Sequence, residues 1–192
     1  MTTHNLLPLP LFPVPATFWA DGEDLDAARA ALLYTASSVS RPTVQKLSAL
    51  FYFADRLHLG RYGALMFGGQ YEALKHGPAP VGAYGLLRAA QAHPEDARAY
   101  GFTVQGQGDA SPAVVPLAAP DMEELSAAVV DCLNWAIAEH GQADGASLSL
   151  LSMDEAWQTC PPGEAMTAAH IAASLPNARA VLEHLADPYP DD

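Results

Sequence analysis

Aromatic, basic and turn-forming residues meet in one short stretch, Tyr71-Glu72-Ala73-Leu74-Lys75-His76-Gly77-Pro78. Aromatic and cationic side chains often dominate the energy of protein interfaces, so Tyr71, Lys75 and His76 are candidate partner-binding residues. All three are expected at the surface. Gly77 ahead of Pro78 sets a special backbone geometry that holds the preceding side chains in place. The same residues also suit a structural turn packed on a neighbouring helix, and the sequence leaves both readings open.

Asp55 is the carboxylate set among apolar residues, beside Phe53, Ala54 and Leu57. It reads either as a helix carboxylate paired with Arg56, Lys46 or a residue of the following loop, or as a buried anchor that fixes that loop. General acid–base work needs a second positioned group. The Asp55/His76 region is the closest approach to a small-molecule hydrolase or transferase site, and no partner group is evident for it. The seven histidines, at 4, 58, 76, 93, 140, 170 and 184, form no H-E-x-x-H or His-x-x-x-His pair. Neither Cys132 nor Cys160 has a second ligand at zinc-site spacing, so no metal and no cofactor is expected. There is no G-x-S-x-G elbow and no phosphate-binding glycine loop. Cys132 falls on an apolar helix face and reads as a packed thiol, whereas Cys160, before Pro161-Pro162, is expected to be more exposed.

The elements that must position these residues are mostly helical. Asp24 is placed to cap a helix over 24–38, in which Leu25, Ala28, Leu32 and Ala36 recur at spacings of three and four. A second helix runs from about Pro42 to Gly60 with two apolar stripes. One holds Val44, Leu47, Phe51, Ala54 and His58, the other Leu50, Phe53 and Leu57. Two stripes bury a helix over much of its circumference and place it near the centre, so Phe51 and Phe53 are expected to support the fold. Residues 60–80, dense in glycine and ending on Pro78 and Pro80, read as a looped connector with one helical turn near Tyr71–Lys75. A helix over 81–92 carries Tyr84 and closes at His93-Pro94. Tyr100, Phe102 and Val104, then Val114, Val115 and Leu117, predict a β-hairpin with a loose loop at 106–112, the one good strand signal. Asp121 and Glu124 resemble a capping box for a helix over 122–140. Short helices are expected at 152–159, 166–174 and 178–186. The fold class is therefore mainly α (α+β): a compact helical domain over 24–187 around a buried central helix, with one small antiparallel hairpin. Residues 1–23, with Pro8, Pro10, Pro13 and Pro15, predict an extended segment strapped over the body by Leu11, Phe12, Phe18 and Trp19. Residues 188–192 form an acidic tail.

Composition removes several function classes. The 192 residues are 50% apolar and 16% charged, the balance of a globular chain. A net charge of −13 and a pI near 4.7 argue against nucleic acid and anionic membrane as partners, and leave a basic protein open. Two cysteines make no disulfide framework, so a reducing cytoplasm is the expected setting. No apolar run approaches the ~18 residues of a membrane span, and the proline-broken start lacks the basic end and unbroken core of a signal peptide.

Lys46-Leu47, Tyr52-Phe53-Ala54-Asp55, His58-Leu59, Tyr62-Gly63, Tyr71, His76-Gly77-Pro78 and Tyr84 together resemble the Panacea domain, the SocA-like antitoxin family, also described as phage-associated. The likeness is dense over 43–87 and continues to Trp157, which fits the family's late aromatic. Lys46, Phe51, Phe53, Asp55, Gly77, Pro78, Tyr84 and Trp157 are then structural motif residues. Two departures stand out: Ala79 follows the Gly-Pro pair where the family usually has valine, and Ser152-Met153-Asp154 occupy a stretch that often holds a histidine. The resemblance implies a mainly helical fold with a small antiparallel sheet. It also implies a non-enzymatic protein that binds and neutralises a cognate protein toxin. The family's namesake delivers its toxin to the ClpXP protease, so proteolytic adaptor activity is a second implied mechanism. A phage or host interaction module without a toxin is the alternative of another class.

Overall fold

A computed structural model describes residues 24–106 and 111–187. The expected strap at 1–23, the tail at 188–192 and part of the loop at 106–112 lie outside the described residues. Helix α1 (Leu25–Ser38) starts at Asp24, whose Oδ1 accepts the Ala27 N–H at 3.0 Å. Helix α2 (Val44–Tyr62) is capped by Thr43, which accepts the Lys46 N–H at 3.1 Å, and ends at Gly63 in the left-handed region. Its apolar residues on both predicted stripes are buried or half-buried, and so are Lys46, Ser48 and Asp55. Helices α5 (Ala127–His140) and α6 (Gly145–Ser152) make its most extensive contacts, so α2 does run through the centre of the hydrophobic core.

The stretch expected as a loop with one helical turn is instead a sheet. Strands β1 (Tyr71–Leu74) and β2 (Gly77–Pro80) pair antiparallel, Tyr71 opposite Pro80 and Leu74 opposite Gly77, joined by the two-residue turn Lys75-His76. Strand β5 (Ala165–Met166) adds to the other side of β1. Both prolines of β2 are compatible with a strand because β2 lies on an edge, where a missing N–H breaks no ladder. Helix α3 (Val81–Ala92) follows directly, then the short helix α4 (Ala97–Tyr100). The predicted hairpin is present as β3 (Phe102–Gln105) and β4 (Ala113–Pro116), with Val104 opposite Val114. It is therefore not the chain's one pair of strands.

Helix α5 begins later than expected. Asp121 caps only a single 3-10 turn, Met122–Glu124, and the α-helix starts after Ser126, whose Oγ accepts the Val129 N–H at 3.2 Å. The predicted helix at 152–159 is α7 (Glu155–Thr159), that at 166–174 is α8 (Ala168–Ala172), and that at 178–186 is α9 (Ala178–Ala186). Helix α6 has no counterpart among the predicted elements. The result is a mostly helical α+β fold with small antiparallel sheets.

Candidate functional site

The motif residues come together around the middle of α2 and the β1–β2 hairpin. Asp55 is buried, and it anchors the loop that follows the helix. Its Oδ1 accepts the Met66 N–H at 2.6 Å, and its Oδ2 accepts the Tyr71 hydroxyl at 2.5 Å. One carboxylate on α2 thus fixes both the connector and the first residue of β1. Burial pushes the carboxyl up to about 6; the hydrogen bonds from Met66 and Tyr71 and the nearby His58 act in the opposite direction. His58 Nδ1 lies 2.7 Å from the Ala64 carbonyl oxygen, which tightens the same connector.

A second polar group lies one turn earlier on α2. The Tyr52 hydroxyl donates to both oxygens of Asp154, at 2.9 and 3.0 Å, and Arg56 Nη1 reaches Asp154 Oδ2 at 2.7 Å. The same Nη1 donates to Ser174 Oγ at 2.7 Å. Asp154 also caps α7 by accepting the Trp157 N–H at 3.2 Å. Trp157 Nε1 then donates to the Leu74 carbonyl at 3.0 Å, tying α7 to the end of β1. Tyr52 and Tyr71 stack edge to face with ring centroids 5.3 Å apart, which joins the two groups. Burial, then the neighbouring Asp154, holds the Tyr52 phenol well above its ordinary range, so it stays a donor. Lys46 sends its ammonium to the Ser40 carbonyl at 2.9 Å, closing the loop ahead of α2. Burial and then Arg41 lower its pKa, against the opposite pull of Asp144.

The three candidate partner-binding residues separate. Lys75 and His76 are exposed at the hairpin turn. Tyr71 is not: only 1% of its surface is accessible, because strand alternation points it inward onto Asp55. The expectation of an exposed Tyr71 is thus corrected. Gly77 has φ +104°, the positive φ that the Gly-Pro pair suggested. A Cβ there would lie 2.5 Å from Ser152 Oγ and 3.4 Å from the Ser149 carbonyl oxygen. Gly77→Val is therefore expected to cost about 1–3 kcal/mol from backbone strain alone, with the clash in addition. Urea denaturation of the variant measures it.

A cleft of about 250 Å³ opens between the start of α2 and the hairpin, lined by residues that include Gln45, Ser48, His76, Pro78, Tyr84 and Pro112. Arg88 lies over the Tyr84 ring at 6.0 Å. Asp55 does not line this cleft; it borders a separate, much smaller hollow beside Phe67 and Tyr71. The structure therefore does not bring Asp55 and His76 into one cavity. Cys132 is packed as expected, but Cys160 is buried too, its Sγ directed at the Glu164 and Ala165 carbonyls, which corrects the expectation of an exposed thiol. Burial raises the pKa of both thiols. Among the described residues, the potential metal ligands that gather are His93, Glu95 and Asp96, at the surface beyond α3, where His93 and Glu95 face each other at 3.4 Å.

Sequence reasoning missed Asp154 as a member of the motif network. Its signal was available: an aspartate three residues before Trp157 is in register to cap a short helix. It lies in the stretch that departs from the resembled pattern, and it supplies the partner for Tyr52 and Arg56.

These features define a helical α+β scaffold whose signature polar groups bond inward, with a two-residue hairpin turn left at the surface. The chain belongs to the antitoxin SocA-like family, Panacea domain, whose model matches residues 46–158, more than half of its length. That span runs from Lys46 to Gln158 and takes in Asp55 with its partners, Tyr52, Arg56, Asp154 and Trp157, and the β1–β2 hairpin; Ser174, which Arg56 also reaches, lies beyond it. Comparison with curated proteins and with solved structures gave no match.

Proposed function

We propose that this protein is an antitoxin that neutralises a cognate protein toxin by binding it directly, without enzymatic activity, in the cytoplasm. The observation that carries the reading is the family match over residues 46–158. The inward use of Asp55, Tyr52, Arg56 and Trp157 supports it, because these groups hold the scaffold and are not arranged as a catalytic set. The same binding would serve delivery of the toxin to ClpXP; the toxin's half-life in cells with and without that protease separates blocking from delivery. The test of the main reading is co-expression. A neighbouring reading frame, toxic when expressed alone, is rescued by this chain.

Lys75 and His76 are the proposed contact residues on the hairpin. The double variant Lys75→Ala/His76→Ala is expected to change stability by no more than about 0.5 kcal/mol, since both side chains are exposed. Rescue should weaken while the melting temperature holds. Full rescue by this variant moves the contact elsewhere on the surface.

The chain's excess of 13 negative charges suits a basic toxin. Association should then slow as salt rises, because steering is screened beyond ~8 Å at physiological ionic strength. Stopped-flow association rates across a salt series measure this. A flat series removes electrostatic recruitment and leaves direct binding standing.

A further inference from the structure

Helix α6 buries Leu148, Ser149 and Ser152 and leaves Leu150 and Leu151 outward. Ser149 and Ser152 are 3% and 1% exposed, while Leu150 and Leu151 are 72% and 56% exposed. A surface helix ordinarily turns its apolar side to the core. The inward serines have a reason. Ser149 Oγ donates to the His76 carbonyl, and Ser152 Oγ donates to the Ser149 carbonyl at 2.8 Å. Gly77 also comes so close that only small side chains fit between α6 and the hairpin. The outward leucines have no such reason among the described residues.

We propose that the Leu150–Leu151 face of α6 is the surface on which a basic protein partner docks, seating the two leucines in an apolar socket. The proposal rests on the antitoxin reading, so the partner is the toxin. Charge selects this occupant over a second copy of the chain, which would bring 13 excess negative charges against 13 more. The leucines are also bracketed by exposed carboxylates. Asp144 caps the start of α6, and Glu155 opens α7 just beyond its end. The N–H and hydroxyl of Ser147 hold the Asp144 carboxyl below its usual range, so it is ionised at neutral pH. Lysines or arginines around the partner's socket would meet these two groups.

The experiment uses the full chain and the toxin from the rescue assay. Leu150→Ser/Leu151→Ser is expected to move the melting temperature by no more than about 2 °C, because both side chains are exposed. It should weaken toxin binding by roughly tenfold or more in calorimetry, and rescue should fail. Glu155→Lys should slow association with little change in dissociation. Wild-type rescue together with full rescue and unchanged affinity in the double serine variant overturns this face and leaves the antitoxin reading standing. Failure of the wild-type chain to rescue overturns both. A wild-type dimer in sedimentation that the double variant converts to a monomer assigns the leucines to a second copy and overturns the proposal. An association rate unchanged by Glu155→Lys removes the basic partner.

Discussion

Phe51→Ala is expected to lower stability by roughly 3–5 kcal/mol. Phe51 sits on α2 with no accessible surface, and its ring lies 5.9 Å from that of Phe67 at an angle of 47°. Truncation removes the burial of a large ring and leaves a cavity at the most enclosed part of the core. The neighbours cannot readily collapse into it, because α2 is held on several sides by other elements. For a chain of this size each kcal/mol corresponds to about 2–4 °C, so the melting temperature should drop by about 6–20 °C. Scanning calorimetry measures it. Phe53→Ala belongs at the lower end of the range, since Phe53 lies nearer the surface with its ring 4.4 Å from that of His140. A drop of only ~2 °C for Phe51→Ala would mean that α2 is not the element around which the core is organised.

The second large effect depends on pH. The folded-state pKa of Asp55 is raised from 3.8 to about 6, so the folded protein holds this proton more tightly than the unfolded chain. The contribution to stability is then fully present below about pH 3.8 and is lost as pH rises through about 6. At neutral pH the ionised carboxylate is retained in its buried site by Met66 and Tyr71. Asp55→Asn removes the titration and serves as the reference, since every other carboxylate titrates in both proteins. Relative to that variant, the wild type should gain up to about 3 kcal/mol as pH falls from 7.5 to 4, at 1.36 kcal/mol per unit. Denaturant unfolding of both proteins across this range gives the difference directly. A pH-independent difference would place the Asp55 carboxyl near its ordinary value in the fold and count against the desolvation argument.

Much of the scaffold was legible because its signals were local. Asp24 and the spacing of Leu25, Ala28 and Leu32 marked α1, and the two stripes of α2 foretold a helix buried nearly all round. The β3–β4 hairpin followed from alternation. Three features were not legible, each for a physical reason. The β1–β2 hairpin is hidden by Gly77, Pro78 and Pro80, residues that argue against a strand unless the strand is known to be an edge. The capping pattern at Asp121 was real but served a single 3-10 turn, and Ser126 captured the α-helix start. Helix α6 turns Ser149 and Ser152 inward beside Leu148 and leaves Ser147, Leu150 and Leu151 outward, so its sequence has no apolar stripe of the usual sense. At the site, the sequence left Asp55 open between a paired helix carboxylate and a buried anchor, and its bonds to Met66 and Tyr71 make it the anchor. Tyr71 was misplaced at the surface because its exposure depends on strand register, which only the pairing with Pro80 sets. Asp154 and Tyr52 are 102 residues apart in sequence, and only the tertiary packing brings them together.

The chain has two lysines, and the fold buries Lys46 while leaving Lys75 exposed at the turn of the β1–β2 hairpin. Amine-directed reagents therefore have one accessible side-chain target, apart from the terminal amine. A fluorophore or biotin coupled through amines would sit on the β1–β2 turn, and a sensor chip loaded by amine chemistry would tether the protein by the Lys75-His76 contact proposed for the toxin. Thiol coupling meets the opposite difficulty, since Cys132 and Cys160 are both buried. Site-specific attachment at an added terminal tag is the geometry that leaves the hairpin turn unobstructed.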